Sequence, residues 1–300
     1  MAVRPLRWVC DGRVPGPPPL PSPPLHSLAM PTDHADTLDL ARVTQECWIE
    51  RVHFFERIDS TNNAALAHAA RQATSMPELF IAEQQTGGRG RGGNQWWSSQ
   101  GALTWSVLTG TLGVPLQTLP RVSLTMGLAI AEAVEQFATG DVTLKWPNDV
   151  FLNDRKVAGI LLELTARAEP RLVIGVGLNV NNSIHHAPAE LRQSATSLVD
   201  QRQPPAPLDR TAVLLACLQS IERCLDRFLA ADASLPDAWR ARSLLSGRQV
   251  RVATPRATLE GLCEGIADDG GLVVATPQGS QVVYGGVIEA FGPRPAGPPI

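Results

Sequence analysis

The pattern of apolar residues changes once along the chain, near Gly247, and this change constrains the fold more than any other feature. Before it, short strand-like segments such as Leu172–Gly177 alternate with long apolar segments such as Val122–Thr139, which are typical of buried helices. After it, only short strand-like segments follow, separated by turn sequences rich in glycine, aspartate and proline. This second pattern is typical of a small β-barrel. We therefore predict an α+β chain in which a domain of strands and helices precedes a separate β-domain.

Proline-rich sequence marks the beginning of the chain. The segment Pro15–Pro24 cannot form a helix or a central strand, because proline lacks a backbone donor and has a fixed φ. We therefore predict that residues 1–45 form a disordered tail, that residues 46–243 form the mixed domain and that residues 246–292 form the β-barrel. Residues 293–300 are again rich in proline and are predicted to form a second tail.

Composition excludes several classes of protein. The chain has 300 residues, of which 44% are hydrophobic and 18% charged, as is ordinary for a globular protein large enough for two cores. Its formal net charge of −3 gives no support to a nucleic-acid binder, whose footprint is basic. No apolar segment reaches the roughly 18 residues of a membrane span. The 5 cysteines lack metal-ligand spacing and are odd in number, so we predict a reducing, cytoplasmic environment without disulfides.

A glycine-rich segment, QTGGRGRGGNQWW, lies between the strand-like segments 79–82 and 102–108. Its glycines let the backbone approach a ligand closely, and successive backbone N–H groups in such a loop bind anions. Arg89 and Arg91 add two permanent positive charges, and the two tryptophans offer faces for stacking. A flexible surface loop and an RNA-binding Arg-Gly box have a similar composition. The single copy held between two strands favours a preformed anion site.

Three further polar clusters lie at the predicted ends of strands or in the loops beside them. They are Asp59–Asn62 (DSTN), Lys145–Asp149 (KWPND) and Gly175–Asn181 (GVGLNVN). Each alone has a structural interpretation, as a helix cap, a turn or a bulge. Together with the Arg-Gly loop and Lys156, they favour a ligand that combines a phosphate, an aromatic base and an uncharged polar ring.

Lys156 follows a predicted hairpin turn at Asn153–Asp154. Because side chains alternate along a strand, we expect Lys156 to share a face with Ala158 and Ile160, a face that is otherwise apolar. One interpretation is a lysine that covers the edge of the core with its methylene groups. We favour the other, in which the ammonium meets an anion at the mouth of a site.

Five motifs, in this order, resemble the biotin protein ligases. They are DSTN at 59–62, GRGRGGNQW at 88–96, KWPND at 145–149, RKVAGI at 155–160 and GVGLN at 175–179. The resemblance runs from about Ile58 to Ala290. It implies a class II synthetase-like mixed sheet with helices and an SH3-like C-terminal barrel. The lipoate ligases share that fold but use different motifs.

The resemblance also implies an activity and its residues. Biotin is activated with ATP to biotinyl-5′-AMP and transferred to one lysine of a biotin carboxyl carrier protein domain, as in acetyl-CoA carboxylase. ATP and biotin are then substrates, Mg²⁺ accompanies ATP, and no metal site of the protein's own is predicted. The implied biotin-binding residues are Ser60, Thr61, Asn62, Gln85, Arg89, Gly90, Arg91 and Lys156. The implied nucleotide-binding residues are Arg89, Trp96, Lys145, Asn148, Asp149 and Asn179, and the implied catalytic residues are Arg91 and Lys156.

Two positions depart from the family's pattern. Asn94 stands where the family often has an arginine that helps to close the loop, and Val287 stands where a glutamate often follows two glycines. A homodimer is left open. The alternative functions are a non-catalytic biotin- or adenylate-binding regulator, an RNA binder and a lipoate-type ligase. The intact Lys156 and the KWPND motif favour the biotin ligase.

We expect no sequence-specific binding to DNA. Residues 1–45 lack the pattern of a winged helix, and the chain is mildly acidic, so the electrostatic attraction that drives DNA binding is weak. A gel-shift experiment at physiological salt checks this expectation. Preferential retention of one operator sequence over random DNA would contradict it.

Overall fold

A seven-stranded mixed sheet organises the first domain of the computed structural model, which describes residues 36–71, 77–110, 115–166 and 170–293. In chain order the strands are β1 (Arg51–Ile58), β2 (Glu78–Gln85), β3 (Leu103–Leu108), β4 (Val142–Lys145), β5 (Asp149–Leu152), β6 (Arg155–Leu164) and β7 (Leu172–Leu178). Across the sheet they follow the order β1-β2-β3-β7-β6-β5-β4. The β1–β2 pair is parallel, and the other neighbouring pairs are antiparallel.

Helices cover both faces of this sheet. They are α1 (Leu40–Glu46), α2 (Thr61–Arg71), α3 (Leu119–Val134), α4 (Arg210–Leu229) and α5 (Leu235–Ala241). Helix α2 connects β1 to β2, and its Ala65 and Ala69 pack against Phe80 on one face. Leu79 and Ile81 alternate with Phe80 and therefore point to the other face, where α3 and α4 complete the larger core. Within the described residues, no helix is both long and apolar enough to cross a membrane.

The second domain is a five-stranded antiparallel sheet. Its strands are β8 (Gln249–Ala253), β9 (Thr258–Ile266), β10 (Leu272–Thr276), β11 (Gly279–Val283) and β12 (Val287–Phe291), in the order β11-β10-β9-β8-β12. The predicted fold class, a mixed sheet with helices followed by a small β-domain, is confirmed.

Polar contacts hold the small domain against the β4–β5 and β5–β6 hairpins. The indole Nε1 of the buried Trp146 donates to the carbonyl of Gly270 at 3.0 Å. The guanidinium of Arg248, which is almost fully buried, pairs with Asp154 at 3.0 Å. Because Trp146 lies next to the KWPND turn, these contacts place the β-domain beside the segment that carries Lys145.

The hairpin between β5 and β6 contains a turn that the sequence predicts and a bulge that it does not. Asn153 and Asp154 have φ of 50° and 59°, as a tight hairpin turn requires. Val150 then pairs with Ala158 and Phe151 with Lys156, so β6 carries one extra residue between them. Such a β-bulge reverses the alternation of side chains beyond it. Lys156 therefore does not share a face with Ala158 and Ile160, and that expectation is wrong.

The predicted tail is also too long. Helix α1 begins at Leu40, inside residues 1–45, and Asp39 caps it by accepting from the backbone N–H groups of Ala41 and Arg42. Val43 is fully buried in the core. Before the helix, Asp36 pairs with Arg210, which is 4% exposed, at 2.6 Å. Residues 36–45 therefore belong to the folded domain, whereas the proline-rich segment lies outside the described residues.

Replacement of Val43 by alanine tests whether α1 is part of the core. Removing two buried methyl groups should lower the free energy of unfolding by about 2 kcal/mol. Gln45→Ala on the exposed side of the same helix is the control and should have little effect. Urea unfolding followed by circular dichroism measures both. Equal stability of the two variants would show that α1 does not stabilise the domain.

Candidate functional site

A cavity of about 290 Å³ opens where the two domains meet. It lies at the C-terminal ends of β1 and β2, over β6 and β7. Its polar and charged lining consists of Ser60, Thr61, Asn62, Gln85, Arg89, Arg91, Asn94, Gln95, Lys145, Asn148, Asp149 and Lys156. Its other lining residues are Gly90, Trp96, Trp105, Trp146, Pro147, Gly159, Ile160, Leu161, Gly175, Val176, Gly177, Gly286, Val287 and Ile288. The polar clusters that are separate in the sequence therefore line one cavity.

Glycines of β6 and β7 form the floor of the cavity. A Cβ atom added to Gly175 would overlap the side chain of Asn62, and one added to Gly177 would overlap the indole of Trp96. Gly159 pairs with Gly177 across the strands and lies below the same indole. The glycines of the GVGLN motif are therefore needed for close packing of side chains on the sheet, and the bulge interpretation does not apply to them.

Hydrogen bonds order one wall of the cavity. Oε1 of Gln85 accepts from the backbone N–H and the hydroxyl of Thr61, at 2.7 and 3.1 Å. Ser106, on β3, contacts the Thr61 hydroxyl at 2.8 Å and Oδ1 of Asn62 at 2.5 Å. Ser60, Thr61 and Asn62 are almost fully buried. This wall carries no net charge and suits an uncharged polar group. Sequence reasoning misses Ser106, which lies in the middle of an apolar strand.

A carboxylate that no motif singles out organises the Arg-Gly loop. Glu163, on β6, binds the guanidinium of Arg89 through two hydrogen bonds of 3.0 and 2.6 Å. The same carboxylate accepts from Nδ2 of Asn62 at 2.8 Å. Glu163 therefore connects the loop to the start of α2. Its signal in the sequence is a charged residue within an otherwise apolar strand, close to the RKVAGI motif.

Arg91 differs from Arg89 in having no direct ion-pair partner among the residues that the structure describes. Desolvation lowers the pKa of its guanidinium from the ordinary value, and the nearby charge of Asp149 opposes part of that shift. Gly92 and Gly93, at φ of 67° and 82°, turn the loop here, and Nδ2 of Asn94 donates to the carbonyl of Arg91 at 2.9 Å. Asn94 thus stabilises the backbone of the turn that presents Arg91.

Lys156 lies on the cavity side of β6 because of the bulge. Its Nζ lies 2.7 Å from Oδ1 of Asp149 and 5.7 Å from the centre of the Trp96 ring. Nζ and Cε also lie close to Gly159, whose missing side chain leaves room for them. The ammonium group of Lys156 therefore lies at the floor of the cavity, where the carboxylate of Asp149 and the ring of Trp96 hold it.

The KWPND turn contributes a second lysine. Nζ of Lys145 lies 5.3 Å from the ring centre of Phe291 and 5.8 Å from that of Phe151. Burial lowers the pKa of Lys145. Asn148 is fixed by its Nδ2, which donates to the carbonyl of Ile160 at 2.7 Å. Phe291 belongs to β12, so the small domain contacts a charged residue of the cavity.

Asn179 does not line the cavity. Its side chain is 3% exposed, and its Nδ2 donates to the carbonyl of Thr196 at 2.9 Å. Its Oδ1 accepts from Asn182, also at 2.9 Å. The role implied by the resemblance, contact with the nucleotide, finds no support in this position. The structure brings the other implied site residues together around the cavity.

The arrangement combines four chemical environments: an uncharged wall that can both donate and accept hydrogen bonds, the Arg91 guanidinium without a direct ion pair among the described residues, three further cations in the lining, and an aromatic face. Cations placed around one point lower the energy of negative charge that gathers there. The site can therefore hold a long ligand with an uncharged polar ring at one end and anionic groups near its middle.

Comparison with known proteins agrees with this geometry. Residues 54–181 match the biotin/lipoate A/B protein ligase family, and residues 245–289 match the biotin protein ligase C terminal domain. The chain is 37% identical to the biotin--[acetyl-CoA-carboxylase] ligase of Mycobacterium tuberculosis, over 76% of this chain and 84% of that protein.

The chain is also 33% identical to the bifunctional ligase/repressor BirA of Bacillus subtilis, over 70% of this chain, and it spans 65% of that relative's length. Among solved structures, a biotin protein ligase from Aquifex aeolicus in complex with biotin and ATP is similar, with a TM-score of 0.69 and 29% identity. That match covers 81% of this chain and 98% of the other. The chain therefore belongs to the biotin/lipoate A/B protein ligase family.

Gly177→Ala tests the floor of the cavity. The added methyl group would overlap the Trp96 indole, so the Arg-Gly loop should be displaced at a cost of about 1–3 kcal/mol. Trypsin should then cleave faster after Arg89 and Arg91, as followed by mass spectrometry. Gly127→Ala in helix α3, where the new Cβ meets only an ordinary contact at 3.5 Å, is the matched control. Identical cleavage of the two variants would contradict the proposed packing.

Proposed function

We propose that this chain is an ATP-dependent biotin protein ligase. It activates biotin to biotinyl-5′-AMP and transfers the biotinyl group to a lysine of a biotin carboxyl carrier protein domain. The observation that carries the proposal is the single cavity in which the uncharged wall of Thr61 and Gln85 meets Arg91 and Lys156. The names of several relatives, among them the Mycobacterium tuberculosis ligase, favour biotin over lipoate as the substrate.

The uncharged wall fits the ring end of biotin. The ureido group of biotin has two N–H donors and one carbonyl acceptor, and it carries no charge. The side chains of Thr61, Asn62 and Gln85, which are fixed by one another and by Ser106, offer matching donors and acceptors, and Ser60 lies beside them in the lining. A preordered wall loses little entropy on binding. The biotin carboxylate then extends from this wall along the cavity toward Arg91 and Lys156.

Activation brings two anions together. A carboxylate oxygen of biotin forms a bond to the α-phosphorus of ATP, and the bond from that phosphorus to the bridging oxygen breaks, so that pyrophosphate leaves. The reaction needs cations around the α-phosphate more than it needs an acid or a base. Arg91 has no direct ion-pair partner among the described residues, and Lys156 lines the same cavity. We assign the stabilisation of the transition state to these two residues.

Arg89 differs from Arg91, because the carboxylate of Glu163 already neutralises the charge of its guanidinium. We infer that it positions the loop in the free protein and exchanges this partner for a ligand anion when the nucleotide is bound. Trp96 offers its face to the adenine, and Lys145 and Asn148 lie beside the triphosphate. These assignments follow the resemblance, and the lining of the cavity supports them.

Mg²⁺ would accompany ATP in this reaction. It prefers oxygen ligands and commonly binds through substrate phosphates and one or two carboxylates. Asp149 is the carboxylate among the lining residues, and it already contacts Lys156 at 2.7 Å. One carboxylate beside a triphosphate fits an ion carried by the nucleotide. Mg²⁺ there would screen the charge of the departing pyrophosphate.

In the second step, the ε-amine of the carrier lysine attacks the carbonyl carbon of the mixed anhydride. An amide bond forms, the bond from that carbon to the phosphate oxygen breaks, AMP leaves, and the amine loses a proton.

Incubation of the protein with radioactive biotin, a biotin carboxyl carrier protein and ATP tests the whole proposal. We expect ATP-dependent labelling of the carrier. Binding of biotin without labelling of the carrier would favour the non-catalytic regulator instead.

Lys156→Gln should separate this role from a structural one. The substitution keeps the polar end and nearly the length of the side chain, so the fold should persist. Adenylate formation should fall at least about tenfold, which equals roughly 1.4 kcal/mol of lost transition-state stabilisation. Release of pyrophosphate without any carrier measures this step. Arg155→Gln, on the same strand but outside the cavity lining, is the control and should react normally. A variant at Lys156 that fails only in transfer to the carrier would place its role in the second step.

Arg91→Ala removes a lining cation that has no direct ion-pair partner among the described residues. The loss of a charge-assisted contact of about 1.5–3 kcal/mol should slow ligation at low substrate concentration roughly ten- to a hundredfold. Steady-state kinetics with carrier protein measure the effect, and Arg256→Ala on the exposed β8–β9 turn controls for the loss of a positive charge. Unchanged kinetics of the Arg91→Ala variant would show that Arg91 does not contact the substrates.

A further inference from the structure

A second cluster of chemically active side chains lies away from the cavity. His53, His68 and Glu78 bring one ligand atom each to within 4.8 Å of one another. Nε2 of His53 lies 2.7 Å from Oε2 of Glu78, and Nε2 of His68 lies 3.1 Å from the same oxygen. Glu78 is 1% exposed. We propose that these three residues form a binding site for a divalent transition-metal ion of the zinc type, separate from the catalytic cavity.

The parallel β1–α2–β2 unit brings the three residues together. His53 pairs with Phe80 across β1 and β2, and Glu78 lies two residues before Phe80, so both side chains project on the same side of the sheet. Helix α2 crosses this side, and Ala65 and Ala69 pack against Phe80. His68, in the last turn of α2, therefore lies above the two strands at the end where they begin.

The donor set has the chemistry that zinc prefers. Two imidazole nitrogens and one carboxylate oxygen can supply three positions of a tetrahedral site, with the fourth left for water. Bonds of about 2.0–2.1 Å in a tetrahedron place neighbouring donors about 3.3 Å apart. The two Nε2 to Oε2 distances, 2.7 and 3.1 Å, need to lengthen by about 0.6 and 0.2 Å to reach this separation.

The surroundings hold the imidazoles in place. The His53 ring stacks on Phe80 at a centroid distance of 4.4 Å, and the His68 ring meets the edge of the same phenyl ring at 5.4 Å. Nε2 of His68 is buried, and its contact with Glu78 lacks hydrogen-bond geometry. Arg51 reaches Glu78 only at 4.0 Å and is half exposed, so it can turn to solvent when a cation binds.

The cluster is far from the cavity along the same strand. Glu78 begins β2 and Gln85, in the cavity wall, ends it. Seven residues of extended chain span roughly 23 Å. An ion at this distance cannot touch a substrate in the cavity. It would instead tie β1, α2 and β2 together at the end opposite the Thr61–Gln85 wall, and binding should therefore raise the thermal stability of the domain.

Titration of the untagged, full-length protein tests the proposal. After treatment with a chelator and its removal, we expect one Zn²⁺ per chain by isothermal titration calorimetry. We also expect the visible absorption of tetrahedral cobalt when Co²⁺ replaces it, and a higher melting temperature. His53→Gln and His68→Gln should each weaken binding at least about tenfold, because each removes a ligand.

A matched control uses the other described histidines. The double variant His185→Gln, His186→Gln removes two exposed imidazoles elsewhere on the surface and should bind Zn²⁺ like the unaltered protein. Circular dichroism must show that all variants are folded. Glu78 is left intact because substitution of this buried residue would destabilise the fold. The proposal is overturned if no stoichiometric binding occurs. It is equally overturned if the His185→Gln, His186→Gln variant loses Zn²⁺ binding while the His53→Gln and His68→Gln variants keep it. In that case the His53 and His68 imidazoles only share the Glu78 carboxylate.

Discussion

The candidate active site depends on the absence of two side chains. Gly175 and Gly177 leave a bare surface on β7, and the side chains of Asn62 and Trp96 occupy the space where Cβ atoms would otherwise lie. A side chain at Gly175 would keep α2 away from the sheet, and one at Gly177 would keep the Arg-Gly loop away. The wall of the cavity and the aromatic face above Lys156 both follow from this close approach.

Charge is distributed unevenly around this floor. Glu163 binds Arg89 and Asp149 binds Lys156, while Arg91 has no such partner among the described residues, and Lys145 contacts aromatic rings. Partial desolvation of Arg91 in the cavity is unfavourable, and a bound anion relieves that cost. The two paired cations are already held in place, and the unpaired Arg91 supplies attraction for the ligand. The small domain takes part, because Val287 lines the cavity near Gly92.

The sequence predicts much of this site because the motifs lie at the ends of strands. Polar residues placed there meet at one edge of a sheet, as Thr61 and Gln85 do. What the sequence does not reveal arises from pairing between distant segments. The bulge that turns Lys156 toward the cavity depends on its register with β5, and the burial of Asn179 depends on its contact with Thr196.

Other features are hidden for similar reasons. The proline-rich composition before residue 36 obscures α1, although Asp39 has the chemistry of a helix cap. His53, His68 and Glu78 have no metal-binding spacing in the sequence, and only the crossover of α2 brings them together. Glu163 resembles any charged residue on a strand until the loop is seen to contact it.

The central claim is that one cavity holds both substrates and joins them. The most direct measurement mixes the protein with biotin and ATP that carry different radioactive labels, the latter on the α-phosphate, without any carrier protein. After rapid gel filtration, the account predicts that both labels elute with the protein in equal amounts, as a retained biotinyl adenylate. Recovery of biotin alone, or of neither label, would contradict it.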